Sequence, residues 1–358
     1  MRIGVPKETK NHEYRVGLTP SSVRQLVQLG HEVWVETEAG SAIGFSNEDF
    51  VHAGAKIVDT EQAFSAPLVI KVKEPQLDEC ARLSANQILF CYLHLATAKP
   101  QAKALIERGI TAIAYETVTD STGRLPLLAP MSEVAGRLSV QAGATALQVT
   151  NGGRGTLLGG VPGVAPAKVT ILGGGIAGTN AAQMAIGLHA DVTVIDQSTE
   201  RLRTLASQFS GRIKVLKATP DTIANTVCES DLVIGAVLVP GASTPKLVRR
   251  EQLKDMLPGA VLVDIAIDQG GAFESSRPTC HDTPTFIENG IVHYCVTNMP
   301  GAVARTATQA LNNVTLPYVL NLAERGWRCA FAEDPGFAQG LNVSAGKIRH
   351  TAVAEALA

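Results

Sequence analysis

Residues 168–196 read K-V-T-I-L-G-G-G-I-A-G-T-N-A-A-Q-M-A-I-G-L-H-A-D-V-T-V-I-D. An apolar, β-branched run meets Gly173, Gly175 and Gly178 in the spacing G-x-G-x-x-G. A helical stretch follows, and a second β-type run ends on Asp196. That order predicts strand, tight turn, helix and parallel strand, the unit that holds a dinucleotide. Gly173 permits the turn, Gly175 lets the backbone approach a pyrophosphate, and Gly178 lets helix and strand pack closely. The helix N-terminus, at Ile176 and Ala177, offers unpaired N–H groups and a positive dipole end to the phosphates. Asp196 lies 18 residues past Gly178, where a carboxylate can accept both ribose hydroxyls and repel a 2′-phosphate. The pattern therefore selects NAD over NADP.

The length of 358 residues suggests two domains, and 45% hydrophobic content is enough for sizeable cores. A net charge of −2 without a basic stripe argues against nucleic acid as a partner, and 4% aromatic residues leave few platforms on which bases could stack. The six cysteines (80, 91, 228, 280, 295, 329) show no C-x-x-C spacing and read as buried reduced thiols. No histidine pair has a metal-ligand spacing, so no catalytic metal is expected. The N-terminal residues lack the apolar segment of a secretory signal, and no apolar run reaches the ~18 residues of a membrane span. A cytoplasmic protein that does not enter the membrane is expected.

The first third alternates short strand and helix patterns, with strands expected at Arg2–Pro6, His31–Glu36, Leu68–Val72, Ile88–Leu93 and Ala112–Tyr115. Thr19-Pro20 reads as a helix start and Gly30 as its stop. Such alternation predicts a parallel, doubly wound sheet. This block has no G-x-G-x-x-G. Ser132 is expected to cap a long helix reaching about Val149, after which a glycine-rich stretch leads into the nucleotide strand. Further strands are expected at Ile213–Leu216, Leu232–Val237, Val261–Ile267 and, last, Val292–Val296. A helix should begin near Val303, kink or restart at Pro317 and end at Gly326. The tail has no obvious place in the nucleotide sheet. The expected fold is α/β, with two doubly wound Rossmann-like domains. The NAD domain (129–305) is inserted into a discontinuous substrate domain (1–128 plus 306–358).

Three basic residues of the first block could carry chemistry. Arg15 sits in a loop before the first helix, Lys73 at the end of one apolar strand and His94 at the end of another. Strand carboxyl ends are where doubly wound sheets bind ligands. Arg15 and Lys73 could clamp a carboxylate, and His94 could exchange a proton near neutral pH. Each also has a plain structural reading: a solvated loop arginine, an edge lysine beside Lys71 and Glu74, a hydrogen-bonded histidine. Asp264 and Asp268 stand four apart near a strand end, with Asp268 facing the ligand or capping its loop. Asn298 could bond a carboxamide or a substrate carbonyl, or serve as a turn residue.

Long motifs then carry a resemblance: R-I-G-V-P-K-E-T-K-N-H-E-Y-R-V, K-V-K-E-P, L-H-L-A, A-Y-E-T-V, L-L-A-P-M-S-E-V-A-G-R, L-L-G-G-V-P-G-V, D-L-V-I-G-A-V-L-V-P-G-A, V-D-I-A-I-D-Q-G-G and N-M-P-G-A-V. From Met1 to about Trp327 the chain resembles bacterial NAD-dependent L-alanine dehydrogenases. The nucleotide-binding part of proton-translocating transhydrogenase shares the N-terminal pattern more distantly. The resemblance implies oxidative deamination of L-alanine to pyruvate and ammonium, reversibly, in L-alanine catabolism. It implies that Arg15 and Lys73 hold the substrate carboxylate and carbonyl, that His94 is the general acid/base, and that Asp268 is a second catalytic residue. It implies NAD contacts from Ser132, Gly173, Gly175, Ile176, Ala177, Gly178, Asp196, Arg201, Val237, Leu238, Ile265, Asp268, Arg277, Val296, Asn298 and Met299, and a homohexamer. The alternative is an NAD(H)-binding, transhydrogenase-like subunit without amino-acid turnover. Four positions depart from the family pattern. Ala304 stands for a proline, Ala307 for a serine, Ala218 for a frequent serine and His189 for a usual glycine.

Overall fold

The structure is a computed structural model that describes residues 1–237 and 244–357. Two compact units divide the chain: residues 1–131 with 303–358, and residues 132–302.

In chain order the first unit begins with β1 (Arg2–Val5), β2 (Glu32–Glu36), β3 (Lys56–Val58), β4 (Leu68–Ile70), β5 (Ile88–Cys91) and β6 (Thr111–Ala114). The second unit holds β7 (Lys168–Leu172), β8 (Asp191–Asp196), β9 (Lys214–Lys217), β10 (Leu232–Gly235), β11 (Val261–Asp264), β12 (Thr285–Glu288) and β13 (Ile291–Tyr294). The chain then returns with β14 (Leu341–Ser344) and β15 (Lys347–Ile348).

The first sheet runs β15-β14-β6-β5-β4-β1-β2-β3. Strands β1 to β6 pair in parallel, and β14 adds antiparallel to β6. Strand order reverses between β1 and β4, the switch point at which doubly wound sheets leave a crevice. Thr19 caps the helix Pro20–Gln28 by accepting the N–H of Ser22, and Gly30 follows it at φ 82°. Asn312, 2% exposed, binds the returning helix to the N-terminal loop. Its Oδ1 accepts the Thr19 N–H at 2.8 Å, and its Nδ2 donates to Gly17 O at 3.2 Å. A buried amide satisfied on both ends is costly to break, so this contact ties the two separated segments of the unit.

The second sheet runs β12-β13-β11-β10-β7-β8-β9 and reverses between β7 and β10. Alternate residues of its central strands fill opposite cores. Val169, Ile171 and Ile234 point to one face, and Leu172, Val233 and Leu262 to the other. That two-sided burial explains why these strands read as continuous apolar runs.

Several expectations are corrected. The long helix spans Ala129–Ala146, so Ser132 lies inside its first turn and does not cap it. Pro130 sits in that turn, where its missing N–H costs nothing. β13 is not the last strand, since β14 and β15 follow it in the chain, and β12, not expected, precedes it as an antiparallel edge. The helix Ala304–Glu333 passes through Pro317, and its backbone breaks at Gly326 (φ 71°, ψ 160°). Ala304 is its first residue, the position where proline would preset φ. His189 has φ 60°, in the left-handed region that favours glycine. Cys280 and Cys329 are exposed, contrary to the expectation that all six thiols are buried.

Candidate active site

In the first unit Arg15, Lys73 and His94 follow β1, β4 and β5, three neighbouring parallel strands, so all three lie at one carboxyl edge. Arg15 is not the solvated residue its loop position suggested: it is 2% exposed. Its Nε and Nη2 donate to the Glu13 carboxylate at 2.7 and 2.5 Å, and its Nη1 lies 3.1 Å from Met131 Sδ. Burial alone would weaken the guanidinium's hold on its proton; Glu13 reverses the sign and leaves its pKa raised. The fork is thus charged, rigid and aimed by a carboxylate two residues away. Lys73 is half-buried in the loop after β4. Its neighbours Lys71 and Glu74 are 0% and 9% exposed, so this is not a solvated edge.

His94 is held in the left-handed region at φ 48°, a conformation costing roughly 1–2 kcal/mol for an L residue. Glu116, just past β6, compensates. Its carboxylate accepts the N–H of Leu93 at 3.2 Å and of His94 at 2.7 Å, and lies 3.9 Å from His94 Nδ1. Tyr92 stacks on the imidazole with ring planes 7° apart. Its hydroxyl donates to Leu127 O at 2.6 Å, and burial pushes the phenol above its ordinary pKa, so it remains a neutral donor. The imidazole itself is exposed. Glu13 and Glu116 are functional candidates that sequence reasoning missed; A-Y-E-T-V belonged to the resemblance, yet no spacing marked its glutamate.

In the second unit every described residue expected to touch a cofactor lies in the helix Ala129–Ala146, at the carboxyl-terminal residue of β8 or in connections beyond strand carboxyl ends. Gly173 has φ 100°, and a Cβ there would sit 2.7 Å from Ala236 O and 3.0 Å from the Val237 side chain. A Cβ on Gly178 would meet Gly173 O at 1.8 Å. Both glycines are therefore required by the protein itself. Gly175 is different: its φ is −66°, and a Cβ would meet nothing within 4 Å. The chain does not need glycine there; a body approaching from outside would. Gly175 also caps the helix Ile176–Gly187 without any side-chain hydrogen bond, leaving its N–H groups for an anion. A pyrophosphate fits both observations.

Asp196 ends β8 with one oxygen accepting Gly174 N–H and the other Ser198 N–H, each at 2.7 Å. A carboxylate has about four acceptor sites, so two remain for ribose hydroxyls. Arg201 lies over the loop, with Nε 2.5 Å from Gly174 O and Nη2 2.6 Å from Thr179 Oγ1. Val237 and Ile265 are half-buried after β10 and β11, Asp268 is exposed in the turn Ile267–Gln269, and Ser132 is half-buried. Arg277 stacks 4.1 Å over Phe286. Asn298 has φ 58°. Val296 and Met299 are 0% and 3% exposed within the core, so their backbone rather than their side chains is available. Leu238 lies outside the described residues.

Family models for the two domains of alanine dehydrogenase/PNT match residues 4–135 (N-terminal domain) and 139–351 (C-terminal domain). The chain belongs to this family. It is 59% identical to an alanine dehydrogenase of Halomonas elongata, over 99% of this chain and 96% of that protein. It is 53% identical to that of Geobacillus stearothermophilus, over 99% and 96%. A solved L-alanine dehydrogenase superposes with a TM-score of 0.97 at 53% identity, covering 99% of each chain. A transhydrogenase from Sinorhizobium meliloti shares the fold, at a TM-score of 0.84 and 24% identity, covering 98% of this chain and all of that one. The match to two Rossmann-like domains is thus direct, and family membership makes NAD the cofactor.

Asp196 then sets a testable preference. Asp196→Ala should weaken NAD+ binding by roughly 10–100-fold, the loss of one or two hydrogen bonds to a charged group, and bring NADP+ within reach. Titrating both nucleotides by fluorescence checks this; an unchanged NAD+ to NADP+ affinity ratio would remove Asp196 from the ribose.

Proposed function

We propose that the chain catalyses L-alanine + NAD+ + H2O ⇌ pyruvate + NH4+ + NADH + H+. The reading is carried by one observation: Arg15, Lys73 and His94 gather at the carboxyl edge of adjacent strands in a chain 53–59% identical over nearly its whole length to alanine dehydrogenases. Residues 1–128 with 306–358 form the substrate domain in this reading, and residues 129–305 the NAD domain.

Gly173, Gly175, Ile176, Ala177 and Gly178 hold the pyrophosphate, and Asp196 with Arg201 the adenosine side. Ser132, Val237, Leu238, Ile265, Asp268, Arg277, Val296, Asn298 and Met299 provide further cofactor contacts. Bound NAD+ supplies a hydride acceptor. Arg15 and Lys73 hold the substrate carboxylate and polarise the oxygen that develops at Cα, and Asn298 adds a hydrogen bond. Removal of hydride from the alanine Cα leaves an iminium. His94 takes a proton from water as it adds to that carbon, then returns one as ammonia leaves the carbinolamine. Asp268 assists these transfers.

The assay is NADH formation from L-alanine at alkaline pH. Turnover dependent on both L-alanine and NAD+ is expected; a folded protein that binds NADH but does not turn over L-alanine would reject the reaction. A subunit that binds NAD(H) without amino-acid turnover is not favoured, since the transhydrogenase likeness is at 24% identity and extends to fold alone. We further infer a cytoplasmic homohexamer. No helix among the described residues is long and apolar enough to cross a membrane, and light scattering on the purified chain tests the assembly.

A further inference from the structure

Lys71 follows β4 directly, and its side chain is completely buried. Its Nζ lies 3.1 Å from Glu8 Oε2 and 2.9 Å from Glu79 Oε1, and both carboxylates are almost shut off from solvent. The reaction proposed above uses none of the three. Each comes from a different segment: Glu8 from the loop after β1, Lys71 from the end of β4, Glu79 from the first turn of the helix Leu77–Arg82. β1 and β4 are neighbours at the switch point of this sheet. The cluster therefore lies where the fold leaves room for a ligand.

The remaining carboxylate oxygens are also engaged. Glu8 Oε1 accepts the N–H of Val72 at 2.6 Å, and Glu79 Oε2 accepts the N–H of Gln76 at 2.7 Å. These two bonds bracket Lys73. Its backbone is tied one residue before and three residues after by carboxylates that a single ammonium orients. Lys10 adds a third tether, 2.6 Å from Glu74 Oε1.

A buried charge cluster is a poor source of stability, because desolvation consumes most of the Coulombic gain, and apolar replacements of similar volume are often as stable. Burial accordingly pushes the Glu8 carboxyl above its ordinary pKa, with Lys71 pulling it back. Stability alone would be as well served by apolar side chains at this point. What charged groups add is direction, since each hydrogen bond fixes an angle as well as a distance.

We propose that Lys71, through Glu8 and Glu79, is a positioning residue for Lys73, setting the placement of the ammonium that holds the substrate carboxylate. This rests on the substrate role proposed for Lys73. Two full-length variants test it. Glu8→Gln/Lys71→Met/Glu79→Gln removes every charge at similar volume, and Glu79→Gln alone keeps an acceptor for the Gln76 N–H. With NADH affinity unchanged, pyruvate KM should rise about tenfold in the triple variant and about threefold in the single one. Amide exchange across residues 72–76 should accelerate. A purely structural role would move the melting temperature and leave pyruvate KM in place. Wild-type KM and wild-type exchange in the folded triple variant overturn the proposal, as they do in Glu79→Gln if the triple variant does not fold. Should the unmodified chain form no NADH from L-alanine, the reaction assignment fails instead, and exchange at 72–76 still decides the tethering.

Discussion

His94→Asn is expected to lower turnover of L-alanine by on the order of 10³-fold, within the range that a positioned general acid/base supplies, while NADH binds as before. Asparagine is the informative replacement because His94 sits at φ 48°. Among non-glycine residues, asparagine is one of the best suited to that region. The turn is held from below by Glu116, which bonds two backbone N–H groups and does not depend on the imidazole. The side chain itself is exposed, so its loss removes little packing. The variant should therefore fold with a melting temperature near that of the parent, and a fall in kcat would report proton transfer alone. Comparable turnover in His94→Asn and the parent would remove His94 from the reaction.

Gly175→Val is expected to abolish useful NAD binding with the fold intact. The backbone at Gly175 has φ −66°, open to any L residue, and a Cβ would meet nothing within 4 Å. Loss of a good N-cap costs about 1 kcal/mol. The added methyls would instead occupy the space in front of the helix Ile176–Gly187, where the proposed pyrophosphate would meet the N–H groups. Losing two such charge-assisted hydrogen bonds is worth roughly 3–5 kcal/mol, or about 10²–10⁴-fold in affinity. Calorimetric NADH titration beside thermal melting separates the two effects. Gly178→Val is the control: its Cβ would collide with Gly173 O, so it should fail by unfolding. A Gly175→Val protein that melts normally and binds NADH normally would place the cofactor elsewhere.

The glycine loop was legible because its requirements are local. A strand, three glycines and a helix lie within a few residues of one another, and each is decided by backbone sterics over that short range. The strands buried on both faces were legible as apolar runs for a related reason. The ends of elements were less so. Ser132 looked like a cap but lies inside the helix Ala129–Ala146, because the chain turns helical as soon as it leaves the preceding loop. β12 escaped notice, since T-F-I-E is short, half-exposed and without a strong pattern.

In the candidate site, sequence pointed to charged residues but not to their environments. The plain reading of Lys73 was an edge charge; it is half-buried, and Lys71 and Glu74 beside it are buried. Arg15 read as a loop residue and is clasped by Glu13. Glu116 carried no signal, because its partners at Leu93 and His94 are backbone groups on another strand's connection. Burial and long-range pairing are properties of the sheet order, which brings the ends of β1, β4 and β5 side by side.

By itself, then, the sequence determined the strand, glycine turn and helix of G-x-G-x-x-G and the acid Asp196 that ends the next strand, since sterics act there between near neighbours. Only the tertiary structure decided which charges are solvated and which form the buried scaffold of Glu8, Glu13, Lys71 and Glu79. The desolvation that gives those residues their roles exists only once distant segments are packed together.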